Sequence, residues 1–138
     1  MSEAAFDAHF YDDLDETRAE AWRLLVRGAA DRRSALHVVQ VATRGLDGAP
    51  RARTVVLRGA DPAGGTIRFH TDARSAKTAE LAAEPRVEIV GYDPRAKVQL
   101  RLSGLATVHA ADALAAAAWA ATAPGSRVCY RAPVAPGA

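Results

Sequence analysis

Apolar residues in the first thirty positions recur at the three-to-four-residue spacing of a helix. The spacing predicts a helix that is capped by Asp12 or Asp13 and runs to about Ala30, with Gly28 near its end. Its apolar stripe comprises Leu14, Ala21, Trp22, Leu24 and Leu25. We therefore assign residues 1–30 to an N-terminal helical segment.

Beyond this helix the pattern changes to short apolar runs that are rich in β-branched residues and separated by turn signals. These runs predict strands at 35–43, 50–58, 66–71, 86–92 and 97–109, of which the first two form a hairpin around Leu46-Asp47-Gly48. A short helix is predicted to begin at Ser75 and to end before Pro85. Two further helical pieces are predicted, at 111–121 and after Pro124.

The order of these elements predicts a mainly β, antiparallel barrel with peripheral helices rather than a doubly wound sheet. At 138 residues the chain is expected to form one domain. Its barrel strands would occupy 35–109, with the short helix at 75–83. A C-terminal helical segment would occupy 111–138, and its end, RAPVAPGA, is typical of an incomplete segment.

Charge is distributed unevenly along the chain, although the formal net charge is only +2. Acidic residues crowd positions 3–20, whereas basic residues cluster in the middle, at Arg51, Arg53, Arg58, Arg68, Arg74 and Lys77. Neither a series of base-stacking aromatic residues nor an unbroken basic run accompanies them. We therefore expect no nucleic-acid partner.

Compartment and metal content are predicted from what the sequence lacks. A single cysteine, Cys129, cannot form an internal disulfide, and the acidic start has no signal-peptide core. No window approaches the roughly 20 apolar residues of a membrane span. The four histidines show no metal-ligand spacing. A cytoplasmic protein without a metal site or a membrane partner is expected.

The strand at 50–58 carries arginines in an alternating series. Its two-residue period predicts one face with Arg51, Arg53, Val55 and Leu57 and the other with Thr54, Val56 and Arg58. An arginine that faces a barrel is costly unless it meets an anion, and a guanidinium fork matches phosphate oxygens. The alternative is an edge strand whose arginines point into water.

A second anion-friendly element follows the strand that ends at His70-Thr71. Ser75 is predicted to cap the short helix, whose free N–H groups and dipole favour an anion, and Lys77 adds a positive charge. An ordinary capped helix with an exposed lysine is the alternative. Gln99, in a later strand, could hydrogen-bond a heterocycle or simply face outward.

No cluster of acid, base and nucleophile accompanies these residues, and neither a GxGxxG nor a GxxxxGK[ST] loop is present. The catalytic residues are therefore unassigned. The pattern predicts a protein that holds a reactive cofactor rather than one whose own side chains supply the chemistry.

The same residues resemble a known family. The runs RTVVLR (53–58), FHT (69–71), SAK (75–77), LAAEPRVEIV (81–90) and VQLRLSG (98–104) are similar to the pyridoxamine 5′-phosphate oxidase family. The resemblance covers about 50 residues and implies an FMN-binding split β-barrel. Ser126-Arg127, Tyr130 and Pro136-Gly137 resemble its uncharacterised FMN-binding branch more than the true oxidases.

The resemblance also implies a cofactor site and an assembly. The FMN phosphate would contact Arg53, Ser75 and Lys77, and the flavin would lie along Thr54, Val55, Val56, Leu57 and Arg58. His70, Thr71 and Gln99 would complete the FMN site. Relatives are homodimers that hold FMN at the subunit interface, so a homodimer is implied.

Three departures from the family pattern bear on the reaction. Ala76 replaces an arginine of the phosphate clamp, for which Arg74 or a partner subunit would compensate. His70 replaces a tyrosine, and Arg58 replaces a lysine. They favour an FMN-binding oxidoreductase acting on another, unknown small-molecule substrate. One alternative is a non-catalytic sensor or carrier that binds flavin or haem, with His37, His70 or His109 as the haem ligand. The other is a barrel that binds no flavin.

Overall fold

The computed structural model describes residues 12–136 and contains four helices and five strands within them. The helices are α1 (Leu14–Ala30), α2 (Ala76–Ala83), α3 (Ala113–Ala121) and α4 (Pro124–Arg127). The strands are β1 (Val38–Arg44), β2 (Pro50–Asp61), β3 (Thr66–Phe69), β4 (Arg86–Asp93) and β5 (Val98–Leu105). They form one antiparallel sheet in the order β3-β2-β1-β4-β5, which confirms the predicted fold class.

The helix predictions are close to the structure. Asp13 caps α1, since its Oδ1 accepts hydrogen bonds from the N–H groups of Asp15 at 2.8 Å and Glu16 at 3.1 Å. Pro85 follows the end of α2 closely, as expected of a residue that cannot continue a helix. Residues 1–11 of the predicted N-terminal segment and residues 137–138 of the predicted C-terminal segment lie outside the described residues.

Several strand boundaries were wrong. The strand predicted at 35–43 begins only at Val38, because Ser34 Oγ accepts a hydrogen bond from Leu36 N at 3.3 Å and caps a 3-10 turn at Ala35–His37. The strand predicted at 50–58 continues to Asp61, and the one predicted at 66–71 ends at Phe69. The strand predicted at 97–109 ends at Leu105, after which Ala106 N donates to Pro85 O at 2.8 Å.

The described chain divides into two compact units. The first comprises residues 12–41, 52–70 and 88–102, and the second comprises 42–51, 71–87 and 103–136. The first unit holds an apolar core, formed by Leu25, Leu36, Val39, Val41, Val55, Leu57 and Ile89. In the second unit the buried residues include Leu81, Thr43 and Glu80, and Thr43 donates from Oγ1 to Glu80 Oε1 at 3.0 Å.

Leu36 is buried in the first unit, where two glycines lie against it. Its side chain is 1% exposed and lies against two glycines, Gly28 of α1 and Gly91 of β4. A Cβ on Gly91 would stand 2.7 Å from Leu36 Cδ2, and one on Gly28 would stand 2.6 Å from Leu36 O. Gly28 therefore lets α1 approach the backbone of the 3-10 turn, and His37 Nδ1 donates to Gly28 O across 2.7 Å.

We expect Gly28→Ala to destabilise the protein by about 1–3 kcal/mol, because the added methyl group meets backbone atoms that cannot rotate away. Urea unfolding followed by circular dichroism measures the change. The matched control is Gly104→Ala, since a Cβ at Gly104 meets nothing within 4 Å. Equal stability of the two variants would contradict the close approach at Gly28.

Candidate functional site

Burial along β2 follows the alternation that the sequence predicts. Val55 is 7% exposed and Leu57 0% exposed, whereas Thr54 and Arg58 are exposed and Val56 is half-buried. Arg53 lies two residues before Val55, is half-buried, and donates from Nη1 to Val41 O at 3.3 Å. This places a guanidinium at the end of the apolar row, where paired N–H donors suit phosphate oxygens.

Arg51 differs from the predicted barrel-facing arginine. It is exposed and its Nη2 lies 2.8 Å from Asp47 Oδ2, in the turn that joins β1 to β2. An exposed ion pair of this kind contributes little to stability. Of the two arginines expected on that face, only Arg53 is thus partly withdrawn from solvent.

The pairing of β2 with β3 contains a β-bulge at Arg58. Leu57 is opposite Phe69, but the next pair is Gly59 with Arg68, so Arg58 is the extra residue on β2. The guanidinium of Arg68 lies against Gly59, where a Cβ would stand 3.4 Å from both Nε and Nη2. Bulges redirect side chains and recur beside active sites.

His70 follows β3 directly and carries a polar atom that no protein group satisfies. Its Nε2 is buried and has no hydrogen-bond partner. Burial, together with the positive charges of Arg68 and Arg58, lowers the pKa of His70 below the usual 6.5. The lowered pKa favours the neutral imidazole, and a buried ring nitrogen without a hydrogen bond costs about 1–3 kcal/mol.

In the second unit, Asp72 organises the turn that leads into α2. Its carbonyl oxygen accepts from Ser75 N at 2.9 Å and from the hydroxyls of Thr71 and Thr78, each at 3.4 Å. Arg74 donates to the Asp72 carboxylate, with Nη2 2.6 Å from Oδ2, and holds the pKa of Asp72 at about 2. Because Arg74 Nη1 also donates to Ala132 O at 2.7 Å, Arg74 is engaged within the protein.

Ser75 occupies the N-cap position of α2, as predicted, but its side chain makes no capping hydrogen bond. Ser75 Oγ instead accepts from Lys77 Nζ at 3.0 Å. The start of α2 therefore combines a hydroxyl, an ammonium group and the positive end of the helix dipole, with no acidic residue in the first turn. The buried Thr43–Glu80 hydrogen bond connects the same helix to β1.

The structure brings some of the predicted site residues together and leaves others apart. Within the first unit, Arg58 and His70 influence each other electrostatically, and Arg68 joins them. Within the second, Ser75 contacts Lys77. Gln99 is exposed on β5. Sequence reasoning did not assign Arg68 to the site, although its two-residue spacing from His70 in a predicted strand was a usable signal.

The donor set of these residues suits FMN. Its phosphate requires cations and hydroxyl or amide donors. The first unit offers the Arg53 guanidinium, and the second unit, taken by itself, offers the Ser75 hydroxyl and the Lys77 ammonium group. The unpartnered His70 Nε2 offers a further polar contact for a ligand. Among residues 12–136, no group of three or more His, Cys, Asp or Glu side chains could hold a metal ion, and no helix there is both long and apolar enough to cross a bilayer.

Comparisons with known proteins agree on one family. The sequence model described as "Pyridoxamine 5′-phosphate oxidase, FMN-binding domain" matches residues 19–110. The chain is 38% identical over 91 residues to the pyridoxine/pyridoxamine 5′-phosphate oxidase 2 of Arabidopsis thaliana, covering 64% of this chain and 46% of that protein. It is 36% identical over 93 residues to the corresponding oxidase of Thermosynechococcus vestitus, covering 67% and 43%. The chain thus spans less than half the length of these curated relatives.

Solved structures show the same fold. A pyridoxamine 5′-phosphate oxidase-related, FMN-binding protein from Nostoc punctiforme superposes with a TM-score of 0.66 at 28% identity, covering 100% of this chain and 68% of that one. A haem-binding protein from Mycobacterium smegmatis superposes with a TM-score of 0.53 at 26% identity, covering 79% and 46%. The fold is therefore the split barrel of the pyridoxamine 5′-phosphate oxidase-related, FMN-binding proteins.

We expect the imidazole of His70 to titrate below pH 6.5, as measured by NMR of the ring protons and assigned with a His70→Asn variant. The unfolded chain then binds a proton more readily than the folded protein. The contribution of neutral His70 to stability is complete above pH 6.5 and is lost as the pH falls through the lower, folded-state pKa. A midpoint at or above 6.5 would contradict the burial of Nε2.

Proposed function

Because this chain belongs to the pyridoxamine 5′-phosphate oxidase family and carries its FMN-binding domain, we propose that it is an FMN-dependent oxidoreductase acting on a small molecule. The observation that carries this proposal is the half-buried Arg53, which continues the buried row of Val55 and Leu57 on β2. A half-buried guanidinium there presents paired N–H donors, which match the oxygens of a cofactor phosphate.

We propose FMN contacts for the residues of each unit by itself. In the first, Arg53 binds phosphate, and Thr54, Val55, Val56, Leu57 and Arg58 lie along the flavin, with His70 and Gln99 hydrogen-bonding its polar edges. In the second, Ser75 and Lys77 bind phosphate, and Thr71 fixes orientation. Because Arg74 is held by Asp72 and Ala132, it does not take the place of the arginine that Ala76 replaces. The ammonium group of Lys77 therefore carries the phosphate charge in that unit.

Bound FMN would supply hydride and electron transfer between a reduced small molecule and dioxygen or another acceptor. The protein's part is to bind, orient and shield the cofactor. The guanidinium of Arg58 supplies positive charge beside the reacting edge, and neutral His70 offers a hydrogen bond without adding a charge. No protein side chain is assigned as a catalytic acid or base.

We also propose a cytoplasmic homodimer in which FMN lies at the subunit interface. The single cysteine, Cys129, which is free and exposed, supports a reducing compartment. Family resemblance supports the dimer. The proposed substrate is a small molecule other than pyridoxamine 5′-phosphate, because Ala76, His70 and Arg58 replace residues of the true oxidases.

Arg53→Ala is expected to weaken FMN binding by about 1.5–3 kcal/mol, roughly tenfold to a hundredfold in the dissociation constant. Quenching of flavin fluorescence during titration of FMN-free protein measures it. The control is Arg23→Ala, which removes an exposed arginine of α1 that pairs with Glu20. Equal affinity of the Arg53 variant and the unmodified protein would remove Arg53 from the site.

The redox proposal is tested by anaerobic addition of reduced nicotinamide and of small reduced substrates to FMN-loaded protein. Loss of the visible flavin absorption, restored by air, is the expected result. Protein that binds no FMN, or FMN that stays oxidised with every reductant, contradicts the proposal.

The second candidate is a non-catalytic flavin- or haem-binding sensor or carrier. It is favoured by the structural similarity to the mycobacterial haem-binding protein and by the unpartnered His70 Nε2, which is a potential axial ligand. His37 and His109 donate from Nδ1 to Gly28 O and Asp112 Oδ2, the kind of contact that orients a ligating imidazole, so Nε2 is the potential ligand atom of each. A Soret band after haem addition that is lost in His70→Ala would favour this candidate.

A further inference from the structure

A buried hydrogen bond in the second unit joins helix α2 to strand β1. Thr43 is 5% exposed and Glu80 is 4% exposed, and Thr43 Oγ1 donates to Glu80 Oε1 at 3.0 Å. A glutamate is seldom buried to this extent unless its carboxyl group is hydrogen-bonded or paired. Neither Thr43 nor Glu80 is assigned to the FMN site proposed above.

Helix α2 depends on its contacts with the rest of the unit. It has eight residues, fewer than the roughly 12–15 that an isolated helix needs to be stable in water. Its two buried residues are neighbours, Glu80 and Leu81. Burial of the Leu81 side chain stabilises the helix but is non-directional, so it does not fix rotation about the helix axis. The hydrogen bond of Glu80 is directional and therefore restricts that rotation.

The orientation of α2 determines where the Lys77 ammonium group lies. Lys77 precedes Glu80 by three residues, so the two lie on the same side of the helix, about 4.5 Å apart along its axis. Lys77 Nζ donates to Ser75 Oγ at 3.0 Å, and both residues are half-buried. A rotation that moves Glu80 away from Thr43 therefore also moves the ammonium group and the hydroxyl at the start of the helix.

Hydrogen bonds at the start of α2 are of a different kind. Asp72 O accepts from Ser75 N at 2.9 Å and from Thr78 Oγ1, six residues away, at 3.4 Å. Such local bonds shape the turn but do not fix it relative to the sheet. Thr43 and Glu80 are 37 residues apart in the sequence. Of these contacts, theirs is the one that ties the helix to a strand.

We propose that Thr43 and Glu80 are positioning residues for the FMN phosphate, because their hydrogen bond sets the orientation of α2 in which Lys77 binds it. The inference rests on the proposed function, in which Ser75 and Lys77 hold the phosphate. Thr43 and Glu80 act through Lys77 and not by touching the cofactor. Their effect on affinity arises because a charge-assisted hydrogen bond weakens when its distance and angle depart from the optimum.

A double-mutant cycle tests the inference. Quenching of flavin fluorescence gives FMN dissociation constants for the unmodified protein, Thr43→Val, Lys77→Met and the double variant. Thr43→Val is expected to weaken FMN binding about threefold to tenfold, as for the loss of one hydrogen bond. In the Lys77→Met background the same change is expected to have a smaller effect, because the group that it positions is absent.

Two single variants serve as controls. Thr43→Ser retains the hydroxyl and is expected to restore the FMN affinity that Thr43→Val loses. Thr66→Val makes the same substitution at an exposed position of β3 and is expected to leave FMN affinity unchanged. If Thr43→Val does not fold, Thr43→Cys, whose thiol is a weaker donor, replaces it in the same cycle.

A purely structural role would lower the free energy of unfolding without changing the FMN dissociation constant of the folded protein. Unchanged FMN affinity in Thr43→Val, or an equal loss in both backgrounds, overturns the inference and leaves the proposed function standing. Failure of the unmodified protein to bind FMN contradicts the proposed function and the inference with it. FMN that binds but is never reduced contradicts the oxidoreductase alone.

Discussion

The two-residue period of β2, and its single interruption, determine where the positive charges of the first unit lie. Val55 and Leu57 must face the apolar core, so Arg53 at the end of their row is drawn into a half-buried position. At Arg58 the period is broken by a bulge, and the strand resumes with Gly59 opposite Arg68. One arginine is thereby placed beside the core and another beside His70. The proposed cofactor contacts of Arg53 and Arg58 follow from this arrangement.

Much of the fold could be predicted because it depends on local patterns. Helical spacing and an N-cap aspartate defined α1, and alternation defined the faces of β2. The errors arose where side chains bond to the nearby backbone. Ser34 caps a 3-10 turn in a segment whose composition indicates a strand, and Ser75 pairs with Lys77 instead of capping α2. Ser34 precedes a predicted strand and Ser75 a predicted helix, yet only Ser34 makes a side-chain capping hydrogen bond.

The candidate site was harder to predict because which residues belong to it depends on contacts between residues that are distant in the sequence. Motif resemblance indicated Arg53, Arg58, His70, Ser75 and Lys77, but the clustering of Arg68 with Arg58 and His70 requires the register of two strands and the bulge between them. Likewise, the sequence alone left Arg74 available for a phosphate, whereas in the structure it binds Asp72 and Ala132 O. The roles assigned to these residues are therefore to bind and orient a cofactor, which agrees with a family domain that binds FMN.

A crystal structure of the protein grown with FMN tests the central claim most directly. The account predicts FMN phosphate oxygens at about 3 Å from the Arg53 guanidinium, the distance of a charge-assisted hydrogen bond. A structure in which Arg53 remains unchanged and distant from the FMN phosphate would contradict this contact.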